Sequence, residues 1–428
     1  MPNPMLPQSL VRALMAGTAS VEEAFSRTSK MLGRPWRWLR PVARRFVRRF
    51  EGRTRPRQRE VIEFLRRDQS FALAWWRYPR ELQVRAWLTE PQQMLPVAAA
   101  IDWDVPVLES SGAMAEWLGL TPGELDWFAD LKALSCRRSA SPQLGHYRYQ
   151  MISKPDGTAR VVESPKPRLK QIQRKILHDI LEKIPPHAAA HGFVKGRSIR
   201  TFAAPHAGKR VVLRMDLRDF FPSLSGVRIQ TIFRTIGYPE SVADLLGGIC
   251  TTAVPRAVTT IDLYRRPHLP QGAPTSPAIA NICAYRLDCR LRAFAKAAGA
   301  TYTRYADDLA FSGNEAFERG VDRFLLHVAA IATEEGFSVN HRKTRVMRQG
   351  VRQHLAGLVT NARVNVMRQD FDGLKAILTN CIRYGPDSQN RDRHPRFRQH
   401  LEGRVSFVES INPEKAKRLR RLLDRIVW

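Results

Sequence analysis

Two adjacent carboxylates, Asp307 and Asp308, stand in the run Tyr302-Thr303-Arg304-Tyr305-Ala306-Asp307-Asp308-Leu309-Ala310-Phe311-Ser312. β-forming and apolar residues flank them on both sides. The pattern predicts a strand, a tight turn carrying both aspartates, and a second strand. Such a turn projects both carboxylates from the sheet rather than into its core. Two like charges this close cost free energy unless a cation neutralises them. Hard divalent cations take oxygen ligands, so Mg2+ is the natural occupant. A solvated Asp-Asp turn is the plain alternative, and an isolated pair would be read that way. The rest of the chain argues against it.

A third carboxylate ends an apolar strand in Arg210-Val211-Val212-Leu213-Arg214-Met215-Asp216-Leu217-Arg218-Asp219-Phe220-Phe221. Asp216 at a strand end is a metal-ligand position, with a helix N-cap as the alternative. Tyr147 to Glu163 reads as a β-hairpin around Pro155-Asp156-Gly157, flanked by Lys154 and Arg160, which could reach one phosphate group. Leu269-Pro270-Gln271-Gly272-Ala273-Pro274-Thr275-Ser276-Pro277 is a rigid loop entering a helix from Ala278 to Ala298, with Ser276 as N-cap and Pro277 at the first helical position. His187 and His191 have helical i, i+4 spacing, but no third ligand pattern accompanies them, so zinc is not expected. The His191–Ser198 stretch reads as a loop whose glycines permit close backbone approach to a ligand.

The elements that position these groups follow from periodicity. Leu169 to Ile184 is an amphipathic helix with Ile172, Ile176, Ile180 and Ile184 on one face. Ile229 to Gly248 is helical with a break at Gly237-Tyr238-Pro239. Val321 to Glu334 is an amphipathic helix, Gly336 to Asn340 a strand, and Arg368 to Trp428 helical and basic. Ser110 to Leu120 begins a short helix-turn-helix, with Thr121 capping the second helix. Pro91 to Pro106 reads as a linker.

Composition narrows the partners. The 428 residues suggest two or three modules. A formal net charge of +30 needs a polyanion to absorb it, and nucleic acid is the usual one. Arg34 to Arg59 carries eleven arginines and one acid, with Trp36, Trp38, Phe46 and Phe50 interleaved. That combination suits phosphate contact plus base stacking. The alternative is an amphipathic helix with aromatics inward and solvated arginines. Trp75 and Trp76 read as core. The five cysteines form no C-x-x-C pair, which argues against a disulfide framework or zinc ribbon and for a reducing compartment. No membrane-spanning run and no signal-peptide pattern is visible, so the cytoplasm is the expected location and no membrane partner is expected.

In order, the Lys/Arg hairpin, Asp216-x-x-x-Phe220-Phe221, Leu269-Pro-Gln-Gly-Ala-Pro-Thr-Ser-Pro277, Tyr305-Ala-Asp-Asp308 and Gly336-Phe-x-x-Asn340 with Lys343-Thr344 resemble the bacterial reverse transcriptases, the retron branch above all. The resemblance spans about residues 110 to 428. Two retron patterns are altered. Phe202 replaces the Asn of Asn-Ala-x-x-His, with Ala203 and His206 kept, and Leu355-Ala356-Gly357 keeps only the glycine of Val-Thr-Gly. Other bacterial reverse transcriptase classes, and an RNA-binding protein with a relict palm, are the competing readings.

The resemblance implies an α/β (α+β) right-hand polymerase fold. A basic helical extension would cover residues 1–107, fingers and an antiparallel palm 108–360, and a helical thumb 361–428. It implies two Mg2+ ions held by Asp216, Asp307 and Asp308 as the catalytic set. It places Lys154, Arg160, Gln271 and Gly272 at the nucleotide, Phe221 under the sugar excluding a ribose 2′-OH, and Lys343 near the pyrophosphate as proton donor. Arg197, His206, Lys415, Lys417, Arg418 and Arg421 are the expected RNA contacts. The implied partners are dNTPs, a structured non-coding RNA serving as template and primer, and the RNA–DNA product. An effector or toxin protein and a separate RNase H complete the set, since no segment after the thumb suits an RNase H. Priming from an internal guanosine 2′-OH, yielding multicopy single-stranded DNA, belongs to the same resemblance.

Overall fold

The structure, a computed structural model, describes residues 6–17, 20–51, 56–86, 93–134, 145–153 and 159–428. By contact the chain forms two compact units, residues 1–185 with 221–279 and residues 186–220 with 280–428.

The first unit opens with helices Leu6–Met15, Val21–Leu32, Leu39–Arg49, Gln58–Arg67 and Gln69–Arg77. They close on a core of their own that includes Leu10, Leu14, Leu39, Phe46 and Leu65. Along Leu39–Arg49 the buried residues are Leu39, Val42, Ala43 and Phe46, one stripe of a helix, so the intervening arginines face outward. Trp36 and Phe50 are buried as well, and Trp38 is partly buried. The aromatics expected to stack on bases therefore pack inward. The exposed ring is Trp76, expected in the core but 82% accessible.

The proline-rich stretch after this bundle is not a loose linker. The Leu95 N–H donates to the Gly237 carbonyl at 2.9 Å, and the Tyr238 hydroxyl donates to the Pro106 carbonyl at 3.0 Å. Helices Ser111–Leu118 and Pro122–Ala129 follow, the second started by a reciprocal cap between Thr121 and Glu124. Strands β1 (Tyr147–Ser153) and β2 (Ala159–Pro165) form the expected antiparallel hairpin. Its turn, with Lys154, lies outside the described residues. Helix Pro167–Asp179 buries Leu169, Ile172 and Ile176. Helices Gly226–Ile236 and Glu240–Ile249 break at Gly237-Tyr238-Pro239, where the glycine is left-handed.

The second unit is built on an antiparallel sheet of β3 (Val211–Arg218), β4 (Thr301–Tyr305), β5 (Asp308–Gly313), β6 (Ser338–Val339) and β7 (Arg345–Arg348). The order is β4-β5-β3-β6, and β7 pairs the start of β3. Alternation along each strand sends side chains to opposite faces. Helices Tyr285–Ala297 and Glu315–Glu334 cover one face, where Phe324 meets Phe294 at 4.6 Å and Phe311 at 5.1 Å. On the other face Val212, Ala310 and Met347 join Phe202 and the helices Arg368–Tyr384, Phe397–Ile411 and Pro413–Leu423 in one continuous core. Three two-residue strands, β8 (His354–Leu355), β9 (Leu358–Val359) and β10 (Asn365–Val366), form a small sheet beneath them. The helix expected over Ala278–Ala298 is two helices, Ser276–Cys283 and Tyr285–Ala297, interrupted at Ala284. No helix among the described residues is long and apolar enough to cross a membrane.

Candidate active site

The β4–β5 register pairs Tyr305 with Asp308, so the turn consists of Ala306 and Asp307. Asp308 is the first residue of β5 and not part of the turn, so the second strand begins one position earlier than expected. Ala306 adopts φ +54°, an uncommon conformation for a residue with a Cβ. On the other side of β5, the ladder sets Asp216 directly opposite Asp308. The Leu217 N–H donates to the Asp307 carbonyl at 2.9 Å, tying the turn to the end of β3. Asp216 thus meets the distant Asp307–Asp308 pair at one end of the sheet.

Each of the paired aspartates has a cation of its own. Lys343 Nζ lies 3.1 Å from Asp216 Oδ2. Arg214, two residues before Asp216 and so on its face of β3, forks onto Asp308 with Nε at 3.0 Å and Nη2 at 2.9 Å from Oδ1. Asp307 has neither. Burial first, then the neighbouring Asp216 and Asp308 charges, push its carboxyl up to about 6. Burial also raises Asp308, and Arg214 opposes that rise.

Among the described residues no three His, Cys, Asp or Glu side chains already stand in ligating geometry. The donor chemistry nevertheless fits a hard divalent cation. All three groups are carboxylates, and the like-charge repulsion that adds to burial in raising Asp307 is what a bound cation removes.

The glycine loop lies in the first unit and is fastened to β2 by one buried carboxylate. Glu163 Oε2 accepts the Gln271 N–H at 2.8 Å, and the Glu163 N–H donates to the Gln271 carbonyl at 2.9 Å. Glu163 Oε1 lies 2.9 Å from His268 Nε2, and His268 Nδ1 lies 2.7 Å from the Arg266 carbonyl. That carbonyl can only accept, so Nδ1 carries a proton. Gly272 has φ +135°, and a Cβ there would meet the Glu163 carbonyl at 2.9 Å. Ser276 does not cap the helix as expected; its hydroxyl donates to the Pro270 carbonyl at 2.6 Å and closes the loop. Arg160 pairs with Ile152 in the hairpin ladder and is partly exposed. Phe221 is partly buried in the same unit.

The expected RNA contacts divide. Lys417, Arg418 and Arg421 are exposed on helix Pro413–Leu423, whose inner face is Ala416, Leu419 and Leu423. Lys417 pairs with Glu414, and Lys415 sits over the Phe371 ring at 5.0 Å. Arg197 donates to the carbonyls of His187 and Ala188, at 3.2 and 2.8 Å, and to that of Ala190, so it braces a loop. His187 and His191 lie in that loop and not on a helix.

His206 contradicts its expected role. It is fully buried, with Nε2 2.7 Å from Thr303 Oγ1 and Nδ1 2.7 Å from Ser312 Oγ. Thr303 gives its proton to the Phe202 carbonyl, so Nε2 must donate to Thr303 and Nδ1 must accept from Ser312. Burial holds this imidazole neutral, down at about 3.

Arg214, Glu163 and His268 escape the sequence reading. Period two along β3 would have placed Arg214 on the face of Asp216; nothing local marks Glu163 or His268.

An antiparallel sheet with paired carboxylates at one strand end, helices behind it, is the palm of a nucleic-acid polymerase. The chain matches the family described as reverse transcriptase (RNA-dependent DNA polymerase) over residues 152–385. It is 38% identical over 336 residues to the retron Mx65 reverse transcriptase of Myxococcus xanthus, covering 77% of this chain and 75% of that one. It is 39% identical over 329 residues to the retron Mx162 reverse transcriptase of the same organism, covering 72% and 65%. The retron Ec86 reverse transcriptase of Escherichia coli is 31% identical over 276 residues, covering 64% and 79%. This chain belongs to the retron-type reverse transcriptases and is an RNA-directed DNA polymerase.

Proposed function

We propose that this polymerase copies part of a dedicated, structured non-coding RNA into single-stranded multicopy DNA, with that RNA as template and primer, in antiphage defence. The observation that carries the catalytic reading is the pairing of Asp216 with Asp308 across β3 and β5, with Asp307 in the adjoining turn. The retron relatives and the net charge of +30 support an RNA partner.

Asp216, Asp307 and Asp308 would hold Mg2+, which when bound neutralises charge on the reacting phosphate. Lys343, 3.1 Å from Asp216, is placed to move toward a departing pyrophosphate and supply a proton from Nζ. Arg214 keeps the Asp308 carboxylate aimed and opposes the rise that burial imposes on it. Glu163 holds the Gln271–Gly272 backbone in a fixed shape for a nucleotide, with Arg160 and Lys154 on its phosphates. Phe221 would fill the space a ribose 2′-OH needs. In this reading residues 108–360 are fingers and palm, 361–428 an RNA-holding thumb, and 1–107 a further basic RNA-binding module. Arg418 and Arg421, exposed and without an ion pair among the described residues, suit phosphate contact. The remaining expected partners are an effector or toxin protein and a separate RNase H, in the cytoplasm.

Sequencing the nucleic acid that copurifies with the protein tests this reading. One RNA covalently joined to a DNA copy of itself is expected. Random cellular RNA with no attached DNA would overturn it.

A further inference from the structure

We propose that Arg304 is a positioning residue that sets the catalytic turn, holding Asp307 in place through the Ala306 carbonyl. The proposal rests on Asp307 being catalytic.

Arg304 lies on β4, two residues before the turn, and is completely buried. Its guanidinium forks onto Asp288 of helix Tyr285–Ala297, Nε at 2.7 Å from Oδ1 and Nη2 at 2.6 Å from Oδ2. Tyr302 adds its hydroxyl to Asp288 Oδ1 at 2.8 Å. The third nitrogen, Nη1, faces forward. It donates to the Ala306 carbonyl at 3.1 Å and to Asn281 Oδ1 at 3.0 Å. The Ala306 carbonyl belongs to the peptide that leads into Asp307, so this bond fixes the plane from which Asp307 departs. Ala306 itself is left-handed, which an alanine adopts only when its surroundings impose it.

The surroundings are continuous. Asn281 gives its amide to the Gly192 carbonyl at 2.9 Å. Gly192 lies against the turn so closely that a Cβ there would meet the Ala306 nitrogen at 2.5 Å. The same loop pairs with β4: the Arg304 N–H donates to the Ala189 carbonyl and the His191 N–H to the Arg304 carbonyl, both at 2.7 Å. Arg197 fastens that loop from outside. The turn is therefore clamped from two sides, and the Arg304 side chain touches the buried carboxylate, Asn281 and the turn.

A buried ion pair is weak evidence for stability, because a well-packed apolar pair often serves as well. What an apolar pair cannot supply is the donor to Ala306. Retention of a full charge at this depth is accounted for by the geometry it imposes on the turn.

The test uses the full-length protein on a preannealed primer–template. Arg304→Lys keeps a charge opposite Asp288 but cannot reach both carboxylate oxygens, Asn281 and Ala306 together. Asn281→Ala leaves the Arg304–Asp288 pair whole and frees one end of the clamp. Asp307→Asn is the control for the catalytic reading. For Arg304→Lys, kcat per folded molecule is expected to fall about 10- to 100-fold, since small misplacement of a reacting group costs on that order. KM for dNTP should stay within about 3-fold, as uniform binding is untouched. Mn2+ binding, read by electron paramagnetic resonance, should weaken severalfold. Asn281→Ala should show the same pattern with smaller changes. If Arg304→Lys does not fold, Asn281→Ala decides. Folded variants with wild-type kcat and Mn2+ binding, while Asp307→Asn is inactive, overturn the positioning role alone. An active Asp307→Asn overturns the catalytic reading beneath it.

Discussion

Asp216 and Asp308 face each other across one rung of the β3–β5 ladder, and each is already held by its own cation, Lys343 and Arg214 respectively. Like charges on opposed positions destabilise a sheet. Here the two cations offset that cost in the free protein, while Asp307, which pairs with neither, is raised to about 6 by burial first and then by the Asp216 and Asp308 charges. The uncompensated group marks where a further positive charge is wanted.

Replacing either Asp307 or Asp216 by Asn should lower dNTP incorporation with Mg2+ by several orders of magnitude, because each removes a ligand charge aimed at the transition state. Folding and RNA binding should persist. Incorporation near the wild-type rate in either variant would sink the assignment.

Phe221→Val should admit ribonucleotides, since the ring would no longer fill the space of a 2′-OH. The readout is the ratio of dGTP to GTP incorporation on one template. An unchanged ratio would reduce Phe221 to packing.

The three aspartates stood out through the ordered set of motifs, since locally the Asp307–Asp308 turn reads as solvated and Asp216 as a helix N-cap, and the structure brings them together. The placement of Asp308 slipped by one, since turn residues alone do not fix the ladder register. Nothing local singles out Arg304 or Asp288; only the packing of helix against sheet reveals the pair. His206 drew a functional reading from the altered Asn-Ala-x-x-His pattern, whereas its partners Thr303 and Ser312 come from two strands whose facing depends on register. Trp36, Phe46 and Phe50 misled in the other direction. Aromatics among arginines suggest stacking, but an amphipathic helix beside an available core buries its aromatics first.

His206 gives a pH signature. Its folded value of about 3 lies below the ordinary 6.5, so the unfolded chain binds the proton and the native state does not. The contribution is complete above pH 6.5 and is lost as pH falls from there toward 3, at up to about 1.4 kcal/mol per pH unit. Denaturant midpoints measured between pH 7 and 5 should therefore fall more steeply for wild type than for His206→Gln. Parallel curves would contradict the neutral, doubly bonded histidine.

Glu163→Gln should loosen the glycine loop without touching the carboxylate site. Glutamine can keep one acceptor for the Gln271 N–H but puts an N–H where an acceptor stood, or faces His268 with the wrong partner. KM for dNTP should rise by about 10-fold or less, the size of one disturbed hydrogen bond, with kcat changed less. A fall in kcat alone would mean that the loop acts on chemistry instead of nucleotide binding.

The N-terminal arginines can be sorted by whether they are already neutralised. Arg40 is tied to Glu22 and Arg45 to Asp68. Arg44 and Arg48, on the outer face of Leu39–Arg49, are exposed and have no ion pair among the described residues. If this module holds RNA, these are the charges that release counterions, and each should contribute about 0.7 to 0.9 to the slope of log affinity against log salt. The double variant Arg44→Ala/Arg48→Ala should lower the slope by about 1.5 and weaken RNA binding at low salt more than at high salt. Both side chains lie off the core, so the melting temperature should hold. Substitution is a sharper test than truncation, because removing residues 1–107 would also strip the segment that Gly237 and Tyr238 hold. Extension of a preannealed primer should survive, since Asp216, Asp307 and Asp308 lie in the other unit. A folded double variant with an unchanged salt slope would make this arginine face a solvated surface, and the RNA contacts would have to come from the C-terminal helices alone.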